Sequence, residues 1–171
     1  MPSTDLLLDD FTVSTDARGW TVFTDRVMGG VSNAQGALTD VQGRRALRLV
    51  GQVSLERNGG FVQMARALSD GRTPFDARAY TGVALTVCGT PGSYFVHLRT
   101  ADTRAPWQYY GAELPVARDW RTVVLPWSAF APVSLAAPLN VAGLARIGIV
   151  GAKVAFLADV ALARLALVGS G

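Results

Sequence analysis

The chain has 171 residues, half of them apolar and 17% charged, with a mean hydropathy of +0.26. This excludes a disordered chain and suits one domain over residues 1–171, able to bury about 70% of its unfolded surface without disulfides or a structural metal. The net charge of +3 comes from scattered arginines and one lysine, Lys153; with no basic stripe or interleaved aromatics, nucleic acid is not an expected partner.

Cys88 and His97 each occur once. Neither a disulfide within the chain nor a Cys/His zinc site can be assembled, so no transition-metal or redox cofactor is expected. A structural calcium ion held by carbonyls and a carboxylate such as Asp9 or Asp10 is compatible with the sequence. The start, Met1 to Asp5, lacks the basic and apolar regions of a secretory signal and the arginines of a transit peptide, which points to the cytoplasm.

In chain order, the first unusual segment is Asp25-Arg26-Val27-Met28-Gly29-Gly30-Val31-Ser32. Its paired glycines permit positive φ and close approach of another backbone or a ligand. Two readings stand: a loop that contacts a ligand or partner, or a strand connection braced by an Asp25–Arg26 ion pair. It is not a phosphate loop, having no Gly-Lys-Ser/Thr. From Ala46 to Leu55 apolar residues alternate, with Leu47, Leu49, Val53 and Leu55 on one face and Arg48, Gln52 and Ser54 on the other. Glu56-Arg57-Asn58-Gly59-Gly60-Phe61 follows, and its Asn-Gly step predicts a hairpin joining that strand to Phe61–Leu68. Ser69-Asp70 is a candidate cap for a short turn.

The apolar run Val83 to Cys88 predicts a buried strand with an inert thiol. Tyr94 to Thr100 sets Tyr94, Val96 and Leu98 against Phe95, His97 and Arg99, and Trp107-Gln108-Tyr109-Tyr110 is placed to lie beside that polar face. Aromatic platforms of this kind hold sugars by stacking, and they equally serve as core and rim packing. Arg121 to Trp127 alternates with Val123, Leu125 and Trp127 on one side, and Ser128-Ala129-Phe130 reads as a short turn. The uncharged stretch Thr122 to Ala145 is long enough to cross a bilayer, but Pro126, Pro132 and Pro138 forbid a spanning helix. Asp159 to Val168 sets Val160, Leu162 and Val168 against Ala161, Leu165 and Leu167, a strand apolar on both faces and therefore central. The pattern amounts to about eight to ten strands with very little helix, an all-β sandwich or jelly roll.

Several of these blocks together carry a resemblance. Trp20, Asp25 to Ser32, Gly51 to Phe61, Tyr94 with Leu98-Arg99-Thr100, and Trp120 to Phe130, in this order and spacing, resemble the complex I intermediate-associated protein family from about Phe11 to Leu167. Ala155 to Asp159 stands where that family usually carries Gly-Pro-Phe before an acidic strand. The resemblance implies a galactose-binding-like β-sandwich, here as a bare bacterial domain. It also implies a non-catalytic binding or scaffold role like that of the chaperones that assemble respiratory NADH:ubiquinone oxidoreductase, with a protein as partner. A lectin-like module for a carbohydrate or other small ligand is the alternative. An enzyme is not expected, since Asp25, Glu56, Glu113 and His97 belong to no nucleophile–base motif. The two glycine loops are expected to converge in a polar patch of Asp25, Arg26 and Asn58 with Arg99 nearby, Asp25 turned inward and Arg26 and Arg99 outward. The candidate binding residues are Asp25, Arg26, Met28, Gly29, Gly30, Ser32, Asn58, Gly59, Gly60 and Arg99.

Overall fold

The computed structural model describes residues 4–12, 19–68 and 73–169, without the side chains of Met28 and Asn58. The Ser69-Asp70 cap lies outside the described residues. Among the described residues the chain forms twelve strands and four short 3-10 turns, with no α-helix. The molecule is thus all-β, with more strands than the sequence pattern separates.

The first sheet runs β3 (Asn33–Val41), β4 (Arg44–Val53), β12 (Phe156–Gly169), β6 (Tyr80–Gly89) and β9 (Arg121–Pro126), with β1 (Leu6–Asp9) also paired to β12. The second runs β10 (Ala131–Val133), β8 (Tyr109–Glu113), β7 (Tyr94–Thr100), β11 (Leu144–Ala152), β5 (Phe61–Ala67) and β2 (Trp20–Thr24). Every pairing between these strands is antiparallel, and the two inner faces meet over one apolar core. Tyr94, Val96 and Leu98 of β7 point into that core, as their alternation predicts, which turns Phe95, His97 and Arg99 to the outer face of the second sheet. The predicted turn after Pro126 is the 3-10 turn Trp127–Ala129, whose Trp127 donates its indole N–H to the Tyr80 carbonyl at 2.8 Å.

β12 is central, but its faces differ from the simple alternation. A register shift between Leu162 and Arg164 flips the parity, so Leu165 and Leu167 join Val160 and Leu162 in the main core. Such a bulge places two residues against one on the partner strand. On the opposite face Ala161 and Ala163 pack with Ala46 and Cys88 beneath Trp120.

The expected Asn-Gly hairpin is not formed. β4 ends at Val53 in the first sheet and β5 begins at Phe61 in the second, so residues 54–60 cross between sheets. Leu55 consequently leaves the core face shared by Leu47, Leu49 and Val53 and is exposed. The left-handed residue of the crossing is Arg57, at φ 55°, one position before the asparagine. Burial of Phe61's strand against β2 and β11 overrides the local turn signal. Among the described residues no helix is long and apolar enough to cross a membrane.

Candidate functional site

The two glycine loops meet on one buried carboxylate. Thr24 caps the 3-10 turn Asp25–Met28 by accepting from the Arg26 N–H at 3.2 Å, and Gly29 closes it in the left-handed region at φ 86°. Asp25 has no exposed surface. Its Oδ1 accepts from the Ser32 N–H at 2.9 Å, and its Oδ2 from the Ser32 hydroxyl at 2.5 Å. From the second loop the Gly60 N–H donates to Oδ2 at 2.5 Å and the Phe61 N–H at 3.2 Å. The Ser32 hydroxyl oxygen also accepts from the Ser54 N–H at 2.8 Å. Burial pushes the Asp25 carboxyl up, but the donors from Ser32, Gly60 and Phe61 outweigh it and leave the group below the ordinary carboxylate range. A Cβ at Gly30 or Gly59 would overlap the Asp25 side chain.

Convergence of the loops therefore rests on hydrogen bonds, and the Asp25–Arg26 ion pair does not form. Arg26 is exposed and donates Nε–H to the Ser32 carbonyl at 2.8 Å. Met28 and Asn58 contribute backbone to the two turns, and their side chains lie outside the described set. The other sequence-level candidates fall elsewhere. Asp9 accepts from the Phe11 N–H and the Trp20 indole, Asp10 accepts from Thr12, and Glu56 and Glu113 are exposed. Among the described residues no three His, Cys, Asp or Glu side chains gather where they could hold a metal.

Beside the hub, a cleft of about 700 Å³ opens on the outer face of the second sheet. One wall is the pair of glycine loops, through Val27, Leu55, Gly59 and Gly60. The other is the β7–β8 loop with Pro106 and Trp107, together with Val133 and Ser134 at the end of β10. The floor is aromatic. His97 stacks on Tyr109 with ring centres 3.8 Å apart, and Phe23 meets Phe61 edge-on at 6.0 Å. Burial, with the Lys153 charge as a lesser cause, pushes the His97 imidazole down to about 4, so it is neutral at physiological pH.

Three cations overlook this floor: Arg146 lies 5.3 Å over the Phe23 ring and Lys153 4.6 Å over Phe95, while Arg99 is half-buried between strands. Arg99 shapes the wall directly. Its Nη1 donates to the carbonyls of Ala105, Pro106 and Gln108, each at 3.1 Å, which holds the loop that presents Trp107.

Of the residues singled out from sequence, Gly59, Gly60, Phe95, His97 and Arg99 line the cleft. Asp25, Gly30 and Ser32 are buried behind its wall, and Trp107 and Tyr109 join it while Tyr110 turns into the core. Phe23, Phe61, Gln63, Arg146 and Lys153 were not legible as site residues. Arg146 carried one usable signal, a charge inside the otherwise apolar run Leu144–Ala152.

A family model described as complex I intermediate-associated protein 30 (CIA30) matches residues 9–155. No curated protein matches the sequence. Among solved structures, the chain superposes on a family 11 carbohydrate-binding module from Clostridium thermocellum in complex with a beta-1,3-1,4-mixed-linked tetrasaccharide, with a TM-score of 0.75 at 13% identity, covering 99% of this chain and 98% of that one. The family 11 module of the cellulosomal cellulase Lic26A-Cel5E of the same organism gives 0.76 at 13% identity, covering 99% and 97%. A family 30 carbohydrate-binding module gives 0.69 at 13% identity, covering 98% and 88%. At these identities the likeness is one of fold, a galactose-binding-like β-sandwich.

Proposed function

The chain belongs to the complex I intermediate-associated protein 30 family, and from that premise we propose that it is a non-catalytic binding domain that holds a protein partner in the cleft of its second sheet. The observation that carries this reading is the rim. Val27, Leu55, Trp107 and Val133 are all exposed around the cleft, Val27 by 68% and Trp107 by 61%. Contiguous exposed apolar side chains around a concave face mark interaction sites. The family's name supplies the kind of partner, an assembly intermediate of respiratory complex I, and the setting taken here is a bacterial cytoplasm.

Catalysis has little support in this cleft. Its one imidazole is neutral and stacked, and among the described residues that line it no side chain is a carboxylate or thiol that could serve as a nucleophile or general base. A saccharide ligand is the second reading, favoured by the aromatic floor. Against it, sugar hydroxyls need matched donors and acceptors, and beyond Tyr109, His97, Gln63 and Ser134 the cleft is apolar or cationic.

The test is genetic and biochemical. Deleting the gene in a host that builds complex I should lower the assembled enzyme on native gels, with rescue by the wild-type chain. A Trp107→Ala, Val27→Asp double variant, altered only at exposed positions, should fold and fail to rescue. Full rescue by that variant would overturn the reading. Cleft-dependent binding on a neutral glycan array would install the saccharide reading in its place.

A further inference from the structure

The charge of the cleft is one-sided. Arg99, Arg146 and Lys153 line it, and among the described residues no Asp or Glu does. Arg99 and Arg146 are directly opposed in the β7–β11 register, a like-charge pair across neighbouring antiparallel strands, which is an unfavourable arrangement by itself. Among the described residues none of the three has an ion pair; the ion pairs there join Arg48 to Asp159 and Arg78 to Asp76, away from the cleft. Burial, and secondarily the Arg146 charge, pulls the Arg99 guanidinium below its ordinary value, so both its position and its neighbour disfavour the charge it carries. Arg146 and Lys153 instead rest on the faces of Phe23 and Phe95.

We propose that the cleft is a receptor for an acidic peptide segment, in which a carboxylate seats at the Arg99–Arg146 pair and the flanking apolar side chains lie against the aromatic floor and the Trp107 rim. Charge complementarity identifies the occupant. A carboxylate at the pair cancels the cross-strand repulsion and gains charge-assisted hydrogen bonds from a guanidinium fork. The exposed apolar rim selects a peptide over a purely polar anion, and this step rests on the protein-partner reading above. Lys153, over Phe95, supplies a second cation for an acidic side chain further along the segment. Arg99 Nη1 is committed to the loop carbonyls, so Arg146 is the residue to vary.

The experiment uses the full chain with three probes: a peptide of about ten residues alternating glutamate with leucine and phenylalanine, its glutamine counterpart, and oligogalacturonate. Calorimetry at low salt should show the glutamate peptide binding at least tenfold more tightly than the glutamine peptide, the gap closing above about 0.5 M salt. Arg146→Gln should remove most of that gap while leaving the melting temperature unchanged or raised, because it relieves a like-charge pair. Lys153→Gln should narrow the gap less. Equal binding of the two peptides, no binding of the glutamate peptide, or an Arg146→Gln variant with the wild-type preference would each overturn the proposal. Tighter binding of oligogalacturonate than of either peptide would overturn it together with the protein-partner reading. Failure of the cleft variants to disturb complex I assembly, with the glutamate preference intact, would sink the assembly role alone.

Discussion

Asp25 is the residue on which the two signature loops depend, and it holds its charge without a cation. Four donors converge on its two oxygens, two of them backbone N–H groups from the opposite loop. In Asp25→Asn an amide N–H would replace one acceptor and face a donor, leaving buried groups unpaired. The expected loss is about 3 kcal/mol in urea unfolding, the scale for breaking buried charge-assisted hydrogen bonds. Gly59→Ala should lose a similar amount, because its methyl group must displace the same carboxylate. A loss below about 0.5 kcal/mol in both would show that the loops are held by something other than this hub.

At the scale of elements, the β7–β8 loop is positioned by one side chain from the strand before it. Arg99 reaches three consecutive-turn carbonyls through a single nitrogen, while Gln108 accepts from the Arg104 and Ala105 N–H groups with its side-chain oxygen. A lysine's shorter, flexible stem does not hold its ammonium where the Arg99 Nη1 stands among these three carbonyls. Arg99→Lys is expected to cost about 1 kcal/mol and to raise amide hydrogen exchange across residues 101–108 while the core strands keep their protection. Unchanged exchange in the loop would remove Arg99 from its anchoring role.

For the whole molecule, His97 sets a distinct window of acid sensitivity. Its folded value is about 4 against an ordinary 6.5, so between those pH values the unfolded chain binds more protons than the folded one. Stability therefore falls as the pH drops from about 6.5 to 4, by about 3 kcal/mol over the window. The contribution of Asp25 has a different range: its lowered folded value means that stability is present above about 3.8 and is lost as the pH falls further. Denaturant midpoints measured at pH 7, 5.5 and 4 should decline in the wild type. In His97→Phe the decline above pH 4 should largely disappear, leaving the carboxylate-driven loss below it. A His97→Phe profile parallel to the wild type would locate the acid sensitivity elsewhere.

Local alternation by itself determined the strand character of the chain, the inward face of Tyr94, Val96 and Leu98, and the central place of the last strand, because each depends only on which residues are two apart. The paired glycines marked where another backbone or a ligand could approach closely; that the approaching group is the buried Asp25 carboxylate came only from the fold. Tertiary structure decided the remainder. Asn-Gly predicts a reversal, but only the competing pairings of β4 and β5 determine that the chain crosses to the other sheet there. The parity of β12 changes at a bulge whose only signature is its fit to β6. The cleft floor joins Phe23, Phe61, His97, Tyr109 and Arg146 from five strands scattered along the sequence. A period-2 pattern says that such residues face away from the core. It carries no information on which strands lie side by side, so the aromatic floor and its unbalanced cations exist only once the sheet order is set.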